Sequence, residues 1–130
     1  MGLNTLIIHE HGTVTLYRLG EFDTWETGKL LLSSDDVNMI LENMTNMHLM
    51  SLHREYHAMV HDGTQWVLWI QQGEQTKSVY FNNHFPQAIR DFSEFLDRLL
   101  LRRGLLDVSW EPDQGHEWRH HEHALWESIQ

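Results

Sequence analysis

Cysteine is absent from the 130 residues, which removes disulfide bonds, thiolate nucleophiles and cysteine-based zinc sites from consideration. Proline occurs twice and glycine eight times, too seldom for a long unstructured linker. No apolar run approaches the roughly 18 residues that cross a bilayer, and the first residues lack the basic start and apolar stretch of a signal peptide. The sequence therefore predicts no membrane partner and, by default, a cytoplasmic location.

Positive charge is also scarce, because 19 acidic residues stand against nine lysines and arginines and give a formal net charge of −10. Such a charge repels nucleic-acid phosphates and anionic lipid surfaces. The same field speeds the encounter with a cationic protein surface. We therefore expect no nucleic acid and a protein partner with a basic surface, although acidity that only maintains solubility is a competing explanation.

The length and composition predict one core. A chain of this size buries about two-thirds of the surface that its unfolded form exposes. The hydrophobic content of 41%, with six tryptophans, supplies the apolar area. We predict a single α+β domain over residues 1–110, followed by a histidine-rich acidic tail over residues 111–130 that is either helical or partly disordered.

The strands are predicted from alternation of apolar and polar residues. Residues 6–8 and 13–19 form a hairpin around Gly12, and an irregular acidic loop follows over residues 20–28. Residues 55–81 predict a three-stranded antiparallel meander, with turns at Asp62-Gly63 and Gln72-Gly73-Glu74.

Two helices are predicted from apolar residues at helical spacing. The run Ser33-Ser34-Asp35-Asp36 places capping side chains and negative charge at the start of a helix over residues 34–46. Pro86 suits the first turn of a second helix over residues 86–103. Residues 105–110 suggest a last short strand. The predicted fold class is α+β, with a mainly antiparallel four- to five-stranded sheet and both amphipathic helices packed on one face.

No catalytic motif stands out. The sequence contains no Gly-x-Ser-x-Gly motif and no glycine-rich phosphate loop, and nothing in its spacing pairs two carboxylates across a cleft. We therefore expect a protein that is not an enzyme and needs no cofactor.

The C-terminal histidines carry the competing interpretation. His116-Glu117-Trp118-Arg119-His120 is a literal His-Glu-x-x-His, a spacing that on a helix places two imidazoles beside a general base for zinc hydrolysis. Catalytic zinc needs a third ligand, and His123 lacks the spacing of the longer motif. A metal-binding protein that uses His116, His120 and His123, with zinc as the metal, is the alternative function, and a zinc-dependent hydrolase is the remoter form of it.

Aromatic residues beside acidic ones predict the contact surface, because aromatic anchors within a charged rim are common in tight interfaces. We select seven residues, five from the acidic loop and two from outward positions of the meander: Glu21, Phe22, Asp23, Trp25, Glu26, Trp69 and Tyr80. Burial of Trp25 and Trp69 in the core is an equally open explanation. The predicted function is inhibition or neutralisation of a protein partner.

A family resemblance supports this prediction. The helix start Gly-Lys-Leu-Leu-Leu-Ser-Ser-Asp-Asp (28–36), the segment Asp-Gly-Thr-Gln-Trp-Val-Leu-Trp-Ile (62–70) and the Phe85-Pro86 helix start follow one another in an order that resembles emfourin-type metalloprotease inhibitors and related small bacterial domains. The resemblance covers roughly residues 6–100. It implies an antiparallel sheet packed by helices, no catalytic residues and activity through protein binding, as in small acidic immunity proteins of similar size and charge.

Overall fold

A computed structural model describes residues 3–59 and 63–129 of the chain. These residues form seven strands and three α-helices, and the α+β class is confirmed. The strands are β1 (Leu3–Ile8), β2 (Thr13–Leu19), β3 (Trp25–Leu31), β4 (Glu55–His57), β5 (Gln65–Gln72), β6 (Gln75–Asn82) and β7 (Glu111–Pro112). The helices are α1 (Ser34–Asn46), α2 (Gln87–Arg102) and α3 (Glu117–Glu127).

The first sheet has the order β1-β2-β3-β7, and every pair in it is antiparallel. The hairpin β1-β2 is confirmed, but the predicted loop over residues 20–28 is wrong beyond residue 24, since β3 begins at Trp25. Gly28 obscured this strand, because glycine disfavours strands in sequence-based prediction. In the structure a side chain at this position would overlap Val108 and approach Trp110, so glycine permits the chain to cross β3 closely.

The second sheet has the order β4-β6-β5, so the strands of the predicted meander are present but connected differently. A two-residue turn joins β5 and β6 antiparallel, whereas β4 lies parallel to β6 on its other edge. Sequence neighbours usually pair, which is why alternation predicted a meander. Of the predicted Asp62-Gly63 turn, Asp62 lies outside the described residues. The strands are thus divided between two sheets.

Helix α1 begins as predicted, with a reciprocal capping box in which the Ser33 side chain accepts from the Asp36 amide and the Asp36 carboxylate accepts from the Ser33 amide. Helix α2 follows Pro86, which occupies the cap position just outside the first turn. The predicted strand over residues 105–110 is wrong. Leu105–Asp107 form a 3-10 turn, and the extended pairing with β3 begins only at Glu111.

A single core joins both sheets to α1 and α2, which pack on one face as predicted. It contains Leu16 of the first sheet, Val79 and Phe81 of the second, Ile40 of α1 and Leu99 of α2, all buried.

Helix α3 covers the opposite face. Trp118 stacks on Trp25 with ring centroids 3.8 Å apart, and His121 lies 5.5 Å from the Tyr17 ring. Farther along the helix, Trp126 lies 5.6 Å from Tyr80 of the second sheet. The tail is therefore helical at 117–127 and packs on both sheets. The molecule has three layers, with the two sheets side by side in the middle one.

None of the helices in the described part of the chain combines the length and apolarity that crossing a bilayer requires.

Candidate partner-binding site

The loop between β2 and β3 presents an acidic aromatic tip, Glu21-Phe22-Asp23. A backbone hydrogen bond of 2.8 Å from Gly20 to Thr24 closes the loop at its base. Phe22 is 95% exposed and has a φ of 58° and a ψ of 30°, the left-handed region that a bulky residue rarely adopts. Glu21 and Asp23 on either side are exposed as well. We call these three residues the acidic tip.

The other two loop residues of the predicted surface serve internal contacts. Trp25 is half-buried against Trp118. Glu26 accepts a hydrogen bond of 2.9 Å from Nε of Arg18, and the Arg18 guanidinium lies 4.0 Å above the Trp110 ring. The structure therefore does not group Trp25 and Glu26 with the acidic tip, and each of them holds the C-terminal segment against the first sheet.

Trp69 and Tyr80 lie on the second sheet, on the face opposite to its core residues. Tyr80 is half-buried between Trp126 and His57, with ring centroids 5.6 Å and 5.4 Å away. Trp69 is 46% exposed and borders a cleft. Three of the seven predicted residues thus form the acidic tip, and Trp69 borders the cleft. The other three, Trp25, Glu26 and Tyr80, make internal contacts.

The cleft of about 810 Å³ lies between the two sheets. Its walls are residues 6–10 of β1 and the following turn, and residues 68–71 of β5; its floor is formed by apolar side chains of α1 and α2, and its cover by α3. We call it the edge cleft, because β1 and β5 are edge strands of their sheets. Sequence reasoning missed it, although two signals were present: the continuous run Leu6-Ile7-Ile8 and the apolar residues Val67 and Trp69 on the outer side of β5. A strand that is apolar on both faces is usually covered on both.

The C-terminal histidines are not brought together. His116 has a φ of 52° and precedes α3, so it does not share a regular helix face with His120. Asp113 caps the helix instead, accepting from the amides of Glu117 at 3.1 Å and Trp118 at 2.9 Å. His123 pairs with Glu127 at 2.9 Å.

Residues 3–59 and 63–129 contain no group of three or more histidine, aspartate or glutamate side chains placed to hold a metal ion. Metal binding by His116, His120 and His123 stays a prediction.

Among the described residues, three titratable groups have displaced pKa values: Asp36, its partner Arg103, whose pKa is raised by the hydrogen bond with that carboxylate, and Tyr17. The hydrogen bonds from Arg103 hold the pKa of Asp36 well below its usual range. Burial raises the pKa of Tyr17, and the carboxylates of Asp113 and Glu117 raise it further, against a hydrogen bond with Thr27 that lowers it. All three shifts arise where the end of a helix packs against a neighbouring element.

No protein-family model, curated protein or solved structure matches the chain.

Proposed function

We propose that the protein is an acidic, non-catalytic protein-binding module of the inhibitor or immunity type, which neutralises a partner protein with a basic surface. The conformation and exposure of Phe22 support this proposal. A large aromatic ring that is 95% exposed forgoes about 2 kcal/mol of burial. Its left-handed backbone costs about 1 kcal/mol more. Strained residues of this kind concentrate at functional positions.

The chemistry around Phe22 supports a basic partner. An exposed aromatic ring inserts into a pocket on a partner, while the neighbouring Glu21 and Asp23 form charged hydrogen bonds at the rim. The net charge of −10 adds long-range attraction toward a cationic surface.

The test compares the wild-type chain with Phe22→Ala, using Leu106→Ala as the matched control, since Leu106 is another exposed large apolar residue. Each protein is immobilised and exposed to an extract of the native host. A specific partner is retained by wild type and Leu106→Ala and lost by Phe22→Ala. Calorimetry with the purified partner should then show about thirtyfold weaker binding for Phe22→Ala, equivalent to about 2 kcal/mol.

Charge is tested separately with Glu21→Gln and Asp23→Asn, which keep the shape of the acidic tip. Association should slow in these variants, and the wild-type association rate should fall as salt rises. Equal binding by Phe22→Ala and Leu106→Ala, or a partner whose binding is insensitive to salt, would contradict the proposal.

A further inference from the structure

The two edge strands of the edge cleft direct backbone groups into it. The backbone N–H of His9 donates to the Thr13 carbonyl at 2.9 Å. In an antiparallel pair every second residue exchanges hydrogen bonds with its partner strand, so His9, Ile7 and Thr5 bond to β2. The backbone N–H and C=O groups of Leu6 and Ile8 therefore point away from β2, toward the cleft.

The same alternation applies to β5. The two-residue turn at Gly73-Glu74 makes Gln72 and Gln75 a hydrogen-bonded pair, so Ile70 and Leu68 also bond to β6. The backbone groups of Gln71 and Trp69 point outward. Each sheet thus presents an unpaired edge to one common space, since β1 and β5 have a strand neighbour on one side only among the described residues.

The layer on the core side of this space is apolar, and the layer on the other side is mixed, since His121 and Ser128 also line it. Ile40 and Met44 of α1 and Phe92 of α2 line it on the core side, and Ala124 and Leu125 of α3 line it on the other. A strand side chain points alternately to the two faces of its sheet. An extended segment in the cleft would therefore bury every side chain, and the wall residues allow about four or five residues at roughly 3.3 Å each.

The hydrogen-bonding groups of this site suit a peptide better than a small apolar molecule. An apolar small molecule would cover the outward amides and carbonyls of β1 and β5 without bonding them, which costs about 1–3 kcal/mol for each buried group. A peptide strand carries donors and acceptors along both of its edges.

Charge decides what kind of peptide fits. The lining residues include one carboxylate, Glu10, and no lysine or arginine. With the net charge of −10, this favours a segment with a lysine or arginine beside its apolar residues.

We propose that the edge cleft binds an extended, apolar and basic peptide segment of a partner protein, which pairs with β1 and β5 at the same time and joins the two sheets into one. This inference goes beyond the proposed function. It concerns a different surface from the acidic tip and a different mode of binding, so each can fail alone.

The test begins with selection of binders from a random octapeptide phage library against the folded protein. Enriched peptides should alternate apolar residues and carry a lysine or arginine. The affinity of a synthetic copy is then measured by calorimetry against wild type, Gln71→Pro and Gln71→Ala. Proline removes the outward N–H, whereas alanine keeps it, and proline is tolerated on an edge strand where this N–H faces away from the sheet. We expect binding about tenfold weaker for Gln71→Pro and within about twofold of wild type for Gln71→Ala.

A second measurement leaves the protein unchanged. Two versions of the peptide carry N-methyl groups on its odd or on its even amides, which face opposite edges of the peptide. Both versions should lose binding if both sheet edges are used. Ala124→Trp, which fills the cleft from α3, should abolish binding as well. Phe22→Ala should leave the peptide affinity unchanged, and this separates the cleft from the acidic tip.

Four results would overturn the inference: no enriched peptide, equal affinity for Gln71→Pro and Gln71→Ala, loss of binding in only one N-methyl series, or binding of decanoate in place of peptides. A dimer in sedimentation that Ala124→Trp dissociates would assign the cleft to a second copy of the chain and overturn it too.

Discussion

Arg103 donates two hydrogen bonds to the carboxylate of Asp36, from Nε at 2.6 Å and from the terminal guanidinium nitrogen at 2.7 Å. The two residues lie 67 positions apart in sequence, one at the start of α1 and the other just after α2. Asp36 is 1% exposed and also caps its own helix. A buried carboxylate with a bidentate arginine is therefore the polar link between the two helices that cover the core.

This link predicts the acid sensitivity of the fold. Since the pKa of Asp36 is lowered in the folded state from its ordinary value of 3.8, its contribution is complete above that value. The contribution disappears as pH falls toward the lower folded pKa. The free energy of unfolding from urea titrations should therefore decline below about pH 4. Asp36→Asn should be less stable at neutral pH and lose less on acidification, whereas Asp35→Asn, at the exposed neighbour, should follow wild type. Parallel pH curves for all three proteins would contradict this.

Tyr17 predicts a loss of stability at high pH. Because its pKa is raised above 10.0 in the folded state, the unfolded chain ionises first, and the contribution of Tyr17 to stability is complete below about pH 10. It should be lost as pH rises through the folded pKa. Tyr17→Phe removes this dependence, and its unfolding free energy should fall less between pH 9 and pH 11 than that of wild type. Tyr80→Phe, on the other sheet, serves as control and should retain the wild-type slope.

We expect Asp113 to stabilise the start of α3 and its packing against the first sheet. Its carboxylate accepts from two amides at the start of the helix, and Asp113→Ala should lower the free energy of unfolding by about 1 kcal/mol. The near-ultraviolet circular dichroism of the Trp25–Trp118 pair should weaken as well. Gln114→Ala, an exposed neighbour outside these hydrogen bonds, should change neither signal. A wild-type spectrum for Asp113→Ala would show that packing alone holds the helix.

The strain at Phe22 predicts a trade between stability and binding. Glycine adopts the left-handed conformation without a side-chain clash, so Phe22→Gly should raise the free energy of unfolding by about 1 kcal/mol relative to Phe22→Ala. Both variants should lose the partner of the acidic tip. Thermal unfolding together with calorimetry measures the two effects. If Phe22→Gly is the less stable of the two, the loop does not store strain.

A zinc titration distinguishes the alternative metal-binding function from the proposed protein-binding function. Because His116 precedes α3 in a left-handed conformation, we expect weak zinc binding without a fixed stoichiometry. Isothermal titration with zinc chloride measures it, with His116→Ala and His120→Ala as the comparison. Stoichiometric binding that either substitution abolishes would favour the metal-binding function.

Short sequence patterns correctly predicted the elements that depend on neighbouring residues alone. The run of capping and acidic residues over 33–36 predicted the start of α1, and the hairpin β1-β2 followed from alternation around Gly12. The partition into two sheets could not be predicted, because the partner of β4 depends on where the chain returns after residue 57. Strand β3 was missed since Gly28 serves a contact with Val108, which is distant in sequence.

The candidate site was predicted in part. The acidic tip is exposed as expected, but the same aromatic and acidic criterion also selected Trp25 and Tyr80, which pack against α3. Composition does not distinguish an aromatic residue that meets a partner from one that meets the chain's own last helix. The edge cleft requires knowledge of which strands lie at the sheet edges, and alternation does not contain that information.

Helix α3 places Trp118 on one sheet and Trp126 on the other, about two turns apart. The helix therefore connects the two sheets across their boundary, where no strands pair in the described residues. If the two sheets move apart or together, the surroundings of Trp118 change with the first sheet and those of Trp126 with the second. Single-tryptophan versions of the chain that retain Trp118 or Trp126 would therefore report the movement of each half of the molecule separately, without an added label.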